Sequence, residues 1–182
     1  PLFVKLALLN RRHLPLDTAV TKVLNLGNDL WHRLRANTRR GSRRNIRYHY
    51  DLSNDFFSLF LDETMTYSSG LFAHAGQSLA EAQRNKFRRL AEKAHLGPRD
   101  HVLEIGCGWG GLAKYMAERH GAKITAVNIS REQIGYAREF CRDLPVEILE
   151  CDYRAIQGKF DKIVSVGMFE HVGWKNYKTF MK

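Results

Sequence analysis

The sequence lacks a long hydrophobic run. Across its 182 residues, no uninterrupted apolar stretch approaches the roughly 18 residues that a membrane-spanning helix needs. The apolar opening over residues 2–9 contains Lys5 and has no small-residue cleavage pattern, so we interpret it as one side of a helix rather than as a secretory signal. These absences predict a chain that neither spans a membrane nor is secreted.

Cysteine is also scarce. The three cysteines, Cys107, Cys141 and Cys151, are odd in number and far apart in the sequence. This excludes a disulfide framework and the paired spacing of a structural metal site. We therefore expect no bound metal and a reducing, cytoplasmic environment.

Acidic residues are rare in the first 50 positions. These positions contain eleven lysines and arginines but only two acidic residues, Asp17 and Asp29. Their net charge is therefore +9, out of +10 for the whole chain. This asymmetry predicts an anionic partner. We favour peripheral attachment to the inner face of the membrane through residues 11–47, at about 1 kcal/mol per basic residue near an anionic surface. A basic helix packed on a partner domain is the alternative. Nucleic acid is not expected, because no recognised binding motif accompanies the arginines.

The chain divides into three predicted regions. Residues 1–44 form a basic helical segment with its linker, including an amphipathic helix over 16–37. Residues 45–97 form a helical cap on the substrate side. Residues 98–182 alternate short apolar strands with helices, which predicts an α/β fold with a parallel sheet and crossover helices. Because the chain starts without methionine and stops within an apparent helix, we expect a fragment whose sheet lacks its C-terminal strands.

Capping patterns and a change of hydrophobic period set the predicted boundaries. Ser78–Glu81 is a capping-box pattern that predicts a helix to about Leu96, and Ser130–Gln133 is a second one that predicts a helix to about Arg142. A short helix near 54–61 is expected to be capped by Ser53 or Asn54. The remaining predicted elements are strands over 102–105, 123–128, 146–149 and 162–166, a helix over 112–120, and a last helix from Trp174.

The most informative stretch is residues 102–111, where a strand runs into Gly106, Gly108 and Gly110 with Glu104 just before them. Glycines at such a turn let a cofactor approach the backbone closely. The pyrophosphate of a dinucleotide would meet the negative charge of Glu104, whereas a cationic amino-acid end would gain from it. The turn therefore favours S-adenosylmethionine (SAM). A tight turn that binds no ligand is the alternative.

Polar residues follow the next two predicted strands. Where a nicotinamide enzyme carries an acid, the second strand ends in Asn128 and Ile129, and an amide can still hydrogen-bond a ribose hydroxyl. Gln133 either reaches the same sugar or completes the capping box with Ser130. Asp152, after the third strand, either accepts a hydrogen bond from an adenine amino group or is a solvated acid in a turn.

The fourth strand is followed by Glu170 and His171. Neighbouring glutamate and histidine are usual parts of acid–base chemistry. Since adjacent residues on a strand point to opposite faces, we favour Glu170 as the pocket group and a structural role for His171. Ligands of open parallel sheets bind beyond the carboxyl ends of the strands, so all four strand ends are predicted to converge on one pocket.

Four motifs occur in an order that resembles one known family. They are His49–Phe57, Leu61–Ser68, Leu103–Gly111 and Gly167–Gly173. In this order they resemble the cyclopropane-fatty-acyl-phospholipid synthases and their mycolic-acid relatives, over residues 45–182. The resemblance implies a Rossmann-like sheet of a SAM-dependent methyltransferase with an N-terminal helical extension.

The resemblance also implies a reaction. In this family, the double bond of an unsaturated phospholipid acyl chain attacks the sulfonium methyl, the resulting cation loses a proton, and a cyclopropane ring closes. The positions of Tyr67 and Ser68 lie against the cofactor. The position of Glu170 helps to hold a bicarbonate that takes the proton. The resemblance therefore implies that Glu170 and Ser69 are candidate catalytic residues and that bicarbonate is a further ligand. His171, as the neighbour of Glu170, is the third candidate catalytic residue.

Ser69 departs from the family pattern, in which many members have a cysteine after the Tyr-Ser pair. A hydroxyl can still donate a hydrogen bond, but methyl-branched or methylene products of the same cation stay open. A small-amine N-methyltransferase and a non-catalytic nucleotide-binding domain also stay open, as does a homodimer.

Overall fold

The computed structural model describes residues 53–181, apart from the side chain of Lys175. The predictions for residues 1–52, which include the basic helix, its linker and the first four residues of the first family motif, lie outside the described residues. Among the described residues, no helix is both long and apolar enough to cross a bilayer.

The described part of the chain contains a sheet of four parallel strands. β1 (His101–Ile105) pairs with β2 (Lys123–Asn128) on one side and with β4 (Lys162–Val164) on the other, and β3 (Val146–Glu150) pairs with β2. The order β3-β2-β1-β4 confirms the predicted α/β fold. Because the chain moves outward from β1 to β3 and then returns to the other side of β1, the strand order reverses between β1 and β4.

Two of the helices begin where the capping residues predicted them to begin. In α1 (Asn54–Ser58), the Ser53 hydroxyl accepts the N–H of Phe56. In α2 (Leu79–Lys93), the Ser78 hydroxyl accepts the N–H of Glu81, and the Glu81 carboxylate accepts the N–H of Ser78 at 2.9 Å. The remaining α-helices of residues 53–181 are α3 (Gly111–His120), α4 (Arg131–Phe140), α5 (Phe169–Val172) and α6 (Tyr177–Phe180), and short 3-10 helices cover Tyr153–Ala155 and Trp174–Asn176.

The second predicted capping box, at the start of α4, is wrong. Ser130 is the N-cap residue, but its side chain makes no capping hydrogen bond. The Gln133 carboxamide oxygen instead accepts from Asn128 Nδ2 at 2.8 Å. Asn128 is buried at the end of β2 and its amide needs an acceptor there, because an unsatisfied buried donor costs more free energy than a lost cap.

Both faces of the sheet are covered. Five of the six residues of β2 are buried, as expected for an inner parallel strand. On one face, Phe87 of α2 and Met116 of α3 pack with Ile124. On the other face, Leu103 and Val127 pack against side chains that follow β3 and β4. This burial holds the carboxyl ends of the strands in place, together with the groups that follow them.

Candidate active site

A cavity of about 270 Å³ opens at the carboxyl end of β1. The ends of β1, β2 and β4 line it, together with one side of α2 and the segment 65–68. The predicted convergence is therefore confirmed for three strand ends and wrong for the end of β3. The polar and charged lining residues are Thr66, Tyr67, Ser68, Lys86, Glu104, Asn128, Gln133, Glu170 and His171.

The glycine turn forms the floor of this cavity. Gly106 and Gly108 both line it, and their φ angles of 82° and 57° lie in the left-handed region that favours glycine. A Cβ added to Gly106 would lie 2.9 Å from the Cβ of Met168, whereas one added to Gly108 would meet nothing within 4 Å. Gly106 thus permits close packing, and Gly108 leaves backbone open to the cavity. Gly110, the third predicted glycine, lies outside the lining.

Glu104 supplies a buried carboxylate to the cavity. It lies on β1 between Ala126 of β2 and Val164 of β4, and only 4% of its surface is exposed. Its Oε2 has no hydrogen-bond partner within residues 53–181, and burial raises its pKa to about 8. A cationic ligand would satisfy this oxygen and favour the charged carboxylate. The cavity therefore fits the cationic amino-acid end of SAM.

Asn128 and Gln133 divide the roles that the sequence left open. Asn128 Nδ2 donates to Gly108 O at 3.1 Å and to Gln133 Oε1, and its Oδ1 accepts the N–H of Ile129 at 2.7 Å. Asn128 thus fastens the end of β2 to the glycine turn. Gln133 Nε2 has no acceptor in the described part of the chain, so this amide is the better donor for a ribose. Ile129 lies outside the lining.

Asp152 lies apart from the cavity lining. Its carboxylate oxygens accept from Arg154 Nε at 2.8 Å and Nη2 at 2.6 Å, and it caps the 3-10 helix that follows. Both carboxylate oxygens, to which an adenine amino group would donate, thus already accept hydrogen bonds from Arg154. The predicted contact between Asp152 and adenine stays a prediction.

Glu170 and His171 lie on α5 and not on a strand, so the argument from strand alternation is wrong. β4 ends at Val164, and both side chains line the cavity. Neighbouring residues on a helix are about 100° apart, which lets both face one opening. The geometry therefore supports His171 together with Glu170 as a candidate group at the mouth.

The Tyr67-Ser68 pair lies in the cavity wall, and Ser69 does not. Tyr67 and Ser68 are lining residues, whereas Ser69 is exposed and outside the lining. Ser69 therefore does not face the cavity in this arrangement, and its predicted catalytic role stays a prediction. Within residues 53–181, no three His, Cys, Asp or Glu side chains come together as a metal site would require.

An aromatic cluster adjoins the cavity through Tyr67. The ring of Phe57 lies 5.7 Å from that of Tyr67 and 4.8 Å from that of Trp109. Phe56 and Phe60 extend the cluster to the surface, with 44% and 49% of their area exposed. Trp109 also donates from Nε1 to Asn54 Oδ1 at 2.7 Å, which ties α1 to the glycine turn. The aromatic cluster thus contacts the cavity wall directly.

Comparisons with known proteins identify the family. A family model described as mycolic acid cyclopropane synthetase matches residues 37–182. The chain belongs to this family. It is 52% identical over 132 residues to the cyclopropane-fatty-acyl-phospholipid synthase of Escherichia coli K12, an alignment that covers 72% of this chain and 34% of that protein. The family resemblance drawn from the four motifs is therefore confirmed.

Two further family members have names that describe lipid modification. The tuberculostearic acid methyltransferase UfaA1 of Mycobacterium tuberculosis is 46% identical over 150 residues, covering 76% of this chain and 35% of that protein. The crystal structure of mycolic acid cyclopropane synthase CmaA1, complexed with SAH and CTAB, matches with a TM-score of 0.73 at 33% identity, covering 76% of this chain and 50% of that chain. The chain thus spans about a third of the length of the curated family members.

Sequence reasoning missed one charged residue of the cavity, Lys86. Its Nζ donates to Ser68 Oγ at 2.7 Å and to Ser68 O at 3.2 Å. A signal was present, because Lys86 follows Gln83 by three residues and precedes Phe87, and both of these residues are buried in α2. A lysine beside such a face is a candidate for a partly buried charge.

Proposed function

We propose that this chain is the SAM-binding part of an enzyme that transfers a methylene group to the double bond of an unsaturated phospholipid acyl chain, forming a cyclopropane ring. The observation that carries the proposal is one cavity with a buried, unsatisfied carboxylate on Glu104 at its floor and an aromatic cluster at its wall. The carboxylate suits a cationic cofactor, and the aromatic rings suit an apolar acceptor. The E. coli and M. tuberculosis relatives, whose names describe such lipid chemistry, support the same assignment.

The residues have distinct tasks in this proposal. SAM, when bound, supplies an electrophilic methyl group. Glu104 receives the cationic end of the cofactor, and Gln133 offers a donor to its ribose. Phe57 and Tyr67 keep water from the acyl double bond, which protects a cation on the acyl chain from hydrolysis. Glu170 and His171 hold the proton acceptor at the mouth, which is bicarbonate in the family reaction.

A methyl-branched or methylene product is the second candidate. Ser69 stands where many family members have cysteine, and its exposed position puts no substitute for that thiol in the cavity wall. If the methylated carbon loses the proton, ring closure does not occur and a methyl-branched alkene results. If its hydrogen instead shifts as hydride to the cationic carbon, the transferred methyl group loses the proton and a methylene branch results. The relative named as a tuberculostearic acid methyltransferase supports this candidate.

Lipid analysis tests the proposed function. We expect cells that express the full-length gene to convert unsaturated phospholipid acyl chains to products heavier by one CH2. Resistance to catalytic hydrogenation identifies a ring, whereas uptake of hydrogen identifies a methylene branch. The same gene carrying Glu170→Gln should give little product, because a neutral amide is a weaker acceptor than a carboxylate for the O–H of a bound bicarbonate. Unchanged lipids together with a methylated small amine would contradict the proposal.

We further propose that the basic residues within 11–47 bring the enzyme to an anionic membrane surface, as a peripheral protein on the cytoplasmic side. The net charge of +9 over residues 1–50 supports this. Replacing four of these arginines with glutamine should weaken binding to phosphatidylglycerol vesicles by about 1,000-fold, at about 1 kcal/mol per residue. Equal binding by this variant and a charge-matched control would contradict the proposal. The variant changes Arg39, Arg40, Arg43 and Arg44, and the control changes the exposed Arg88, Arg89, Arg119 and Arg142.

A further inference from the structure

Lys86 places a positive charge in the cavity wall. Its two hydrogen bonds both go to Ser68, one to the hydroxyl and one to the carbonyl oxygen. None of the ion pairs within residues 53–181 includes Lys86. An ammonium group has three N–H donors, so the third has no acceptor in the part of the chain that the structure describes.

This lysine is poorly compensated by the protein. Burial lowers the pKa of Lys86 to about 8, and the field of Asp62 opposes that change only in part. Asp62 is itself engaged, because its two carboxylate oxygens accept from the N–H and the hydroxyl of Thr64. A partly buried ammonium with a spare donor is stabilised by an anion that enters the cavity.

Ser68 adds a second donor at the same place. Its Oγ accepts from Lys86 Nζ, so its own hydrogen is left to donate elsewhere. Glu104 lines the same cavity and carries the opposite charge when it is ionised. The cavity therefore presents the cationic Lys86 and, when it is ionised, the anionic Glu104. This pair suits a ligand that bears both charges. The amino-acid end of SAM is such a zwitterion.

We propose that Lys86 and Ser68 bind the carboxylate of the cofactor's amino-acid end, while Glu104 receives its ammonium group. This rests on the proposed function, since it assigns the two ends of the same cofactor. Lys86 is then a ligand-binding residue and not only a brace for the segment 66–68. Gln83 already braces that segment, because its Nε2 donates to Thr66 O at 3.1 Å and to Ser68 O at 2.8 Å.

Two ligands that differ by one group test this assignment. Decarboxylated SAM keeps the sulfonium and the amine but lacks the carboxylate. By calorimetry, Lys86→Met should weaken SAM binding by about 10- to 100-fold, which is the usual effect of a hydrogen bond to a charged group, and should change decarboxylated SAM by less than about twofold. Glu104→Gln should weaken both ligands, because both carry the ammonium. Lys93→Met, the same change on the exposed surface of α2, should alter neither.

The outcomes separate the failures. If Lys86→Met weakens both ligands equally, Lys86 only braces the wall and the assignment is wrong. If Lys86→Met leaves SAM binding unchanged and abolishes an effect of added bicarbonate, the lysine holds the inorganic anion instead, which also overturns it. If the unaltered chain binds neither ligand, the proposed function fails first, and the assignment fails with it.

Discussion

Glu104→Gln should make the chain more stable at pH 8 and leave its stability at pH 4.5 nearly unchanged. The folded chain buries the Glu104 carboxyl and raises its pKa from 4.5 to about 8, whereas the unfolded chain exposes it. Between these pH values the folded state holds a proton that the unfolded state releases. The free energy of unfolding is therefore highest below pH 4.5. It falls by about 3 to 5 kcal/mol as the pH rises to about 8. Glutamine stays neutral and escapes this loss.

Urea unfolding at pH 5 and pH 8 measures the effect. The free energy of unfolding should fall with pH in the unaltered chain and much less in Glu104→Gln. Glu147→Gln makes the same chemical change at an exposed position of β3 and should keep the unaltered slope. Parallel slopes for Glu104→Gln and the unaltered chain would show that Glu104 is ionised in the folded state, contrary to the expectation.

The same carboxyl should release a proton when SAM binds. At pH 7 most of Glu104 is protonated, and an ammonium placed beside it favours the carboxylate. Calorimetry in two buffers of different ionisation enthalpy should show release of nearly one proton per SAM, and Glu104→Gln should show none. The Glu104 carboxyl therefore lowers the stability of the cofactor-free chain near pH 8, while it strengthens the binding of SAM.

The glycine turn and the sheet were open to prediction because their signals are local. Strand periodicity, the run of glycines after Ile105 and the capping box at Ser78 depend on residues close together in the chain. The parallel order followed from the alternation of strands and helices. Each of these features survives in the structure with boundaries changed by a few residues.

The position of Glu170 and His171 was harder to predict because it depends on a distant contact. The Ser165 hydroxyl donates to Ile105 O at 3.0 Å, so a side chain replaces the next backbone bond of β4. Gly167 then turns the chain with a φ of 74°. No local pattern in the sequence indicates that β4 ends at Val164, two residues before the predicted end, or that α5 follows.

The partners of polar side chains were likewise beyond the sequence. Asn128 bonds Gly108, which is 20 residues earlier, and Lys86 bonds Ser68, which is 18 residues earlier. Residue type limits what each group can donate or accept, but only the fold decides which group it meets. The predicted capping box at Ser130 is wrong for this reason, because Gln133 accepts a hydrogen bond from Asn128 instead.

Gly111→Ala should destabilise the chain by about 2 to 3 kcal/mol, although alanine is the better helix former. An alanine Cβ at this first residue of α3 would lie 2.5 Å from Thr64 O and 2.8 Å from Thr66 Oγ1. Thr64 cannot withdraw easily, because its N–H and hydroxyl are bonded to Asp62. Relief requires the segment that carries Met65 to move away from Trp109, which opens a packed cluster.

Gly135→Ala is the matched control, because Gly135 lies inside α4 and an added Cβ there meets nothing within 4 Å. That change should stabilise the chain by about 0.5 to 1 kcal/mol through helix propensity and reduced freedom of the unfolded chain. Thermal unfolding of both variants should therefore give shifts of opposite sign. Helix propensity favours alanine at both positions, so the difference in sign isolates the contact with Thr64. Equal stabilisation of the two variants would show that the segment 62–66 yields freely and does not support the cavity wall.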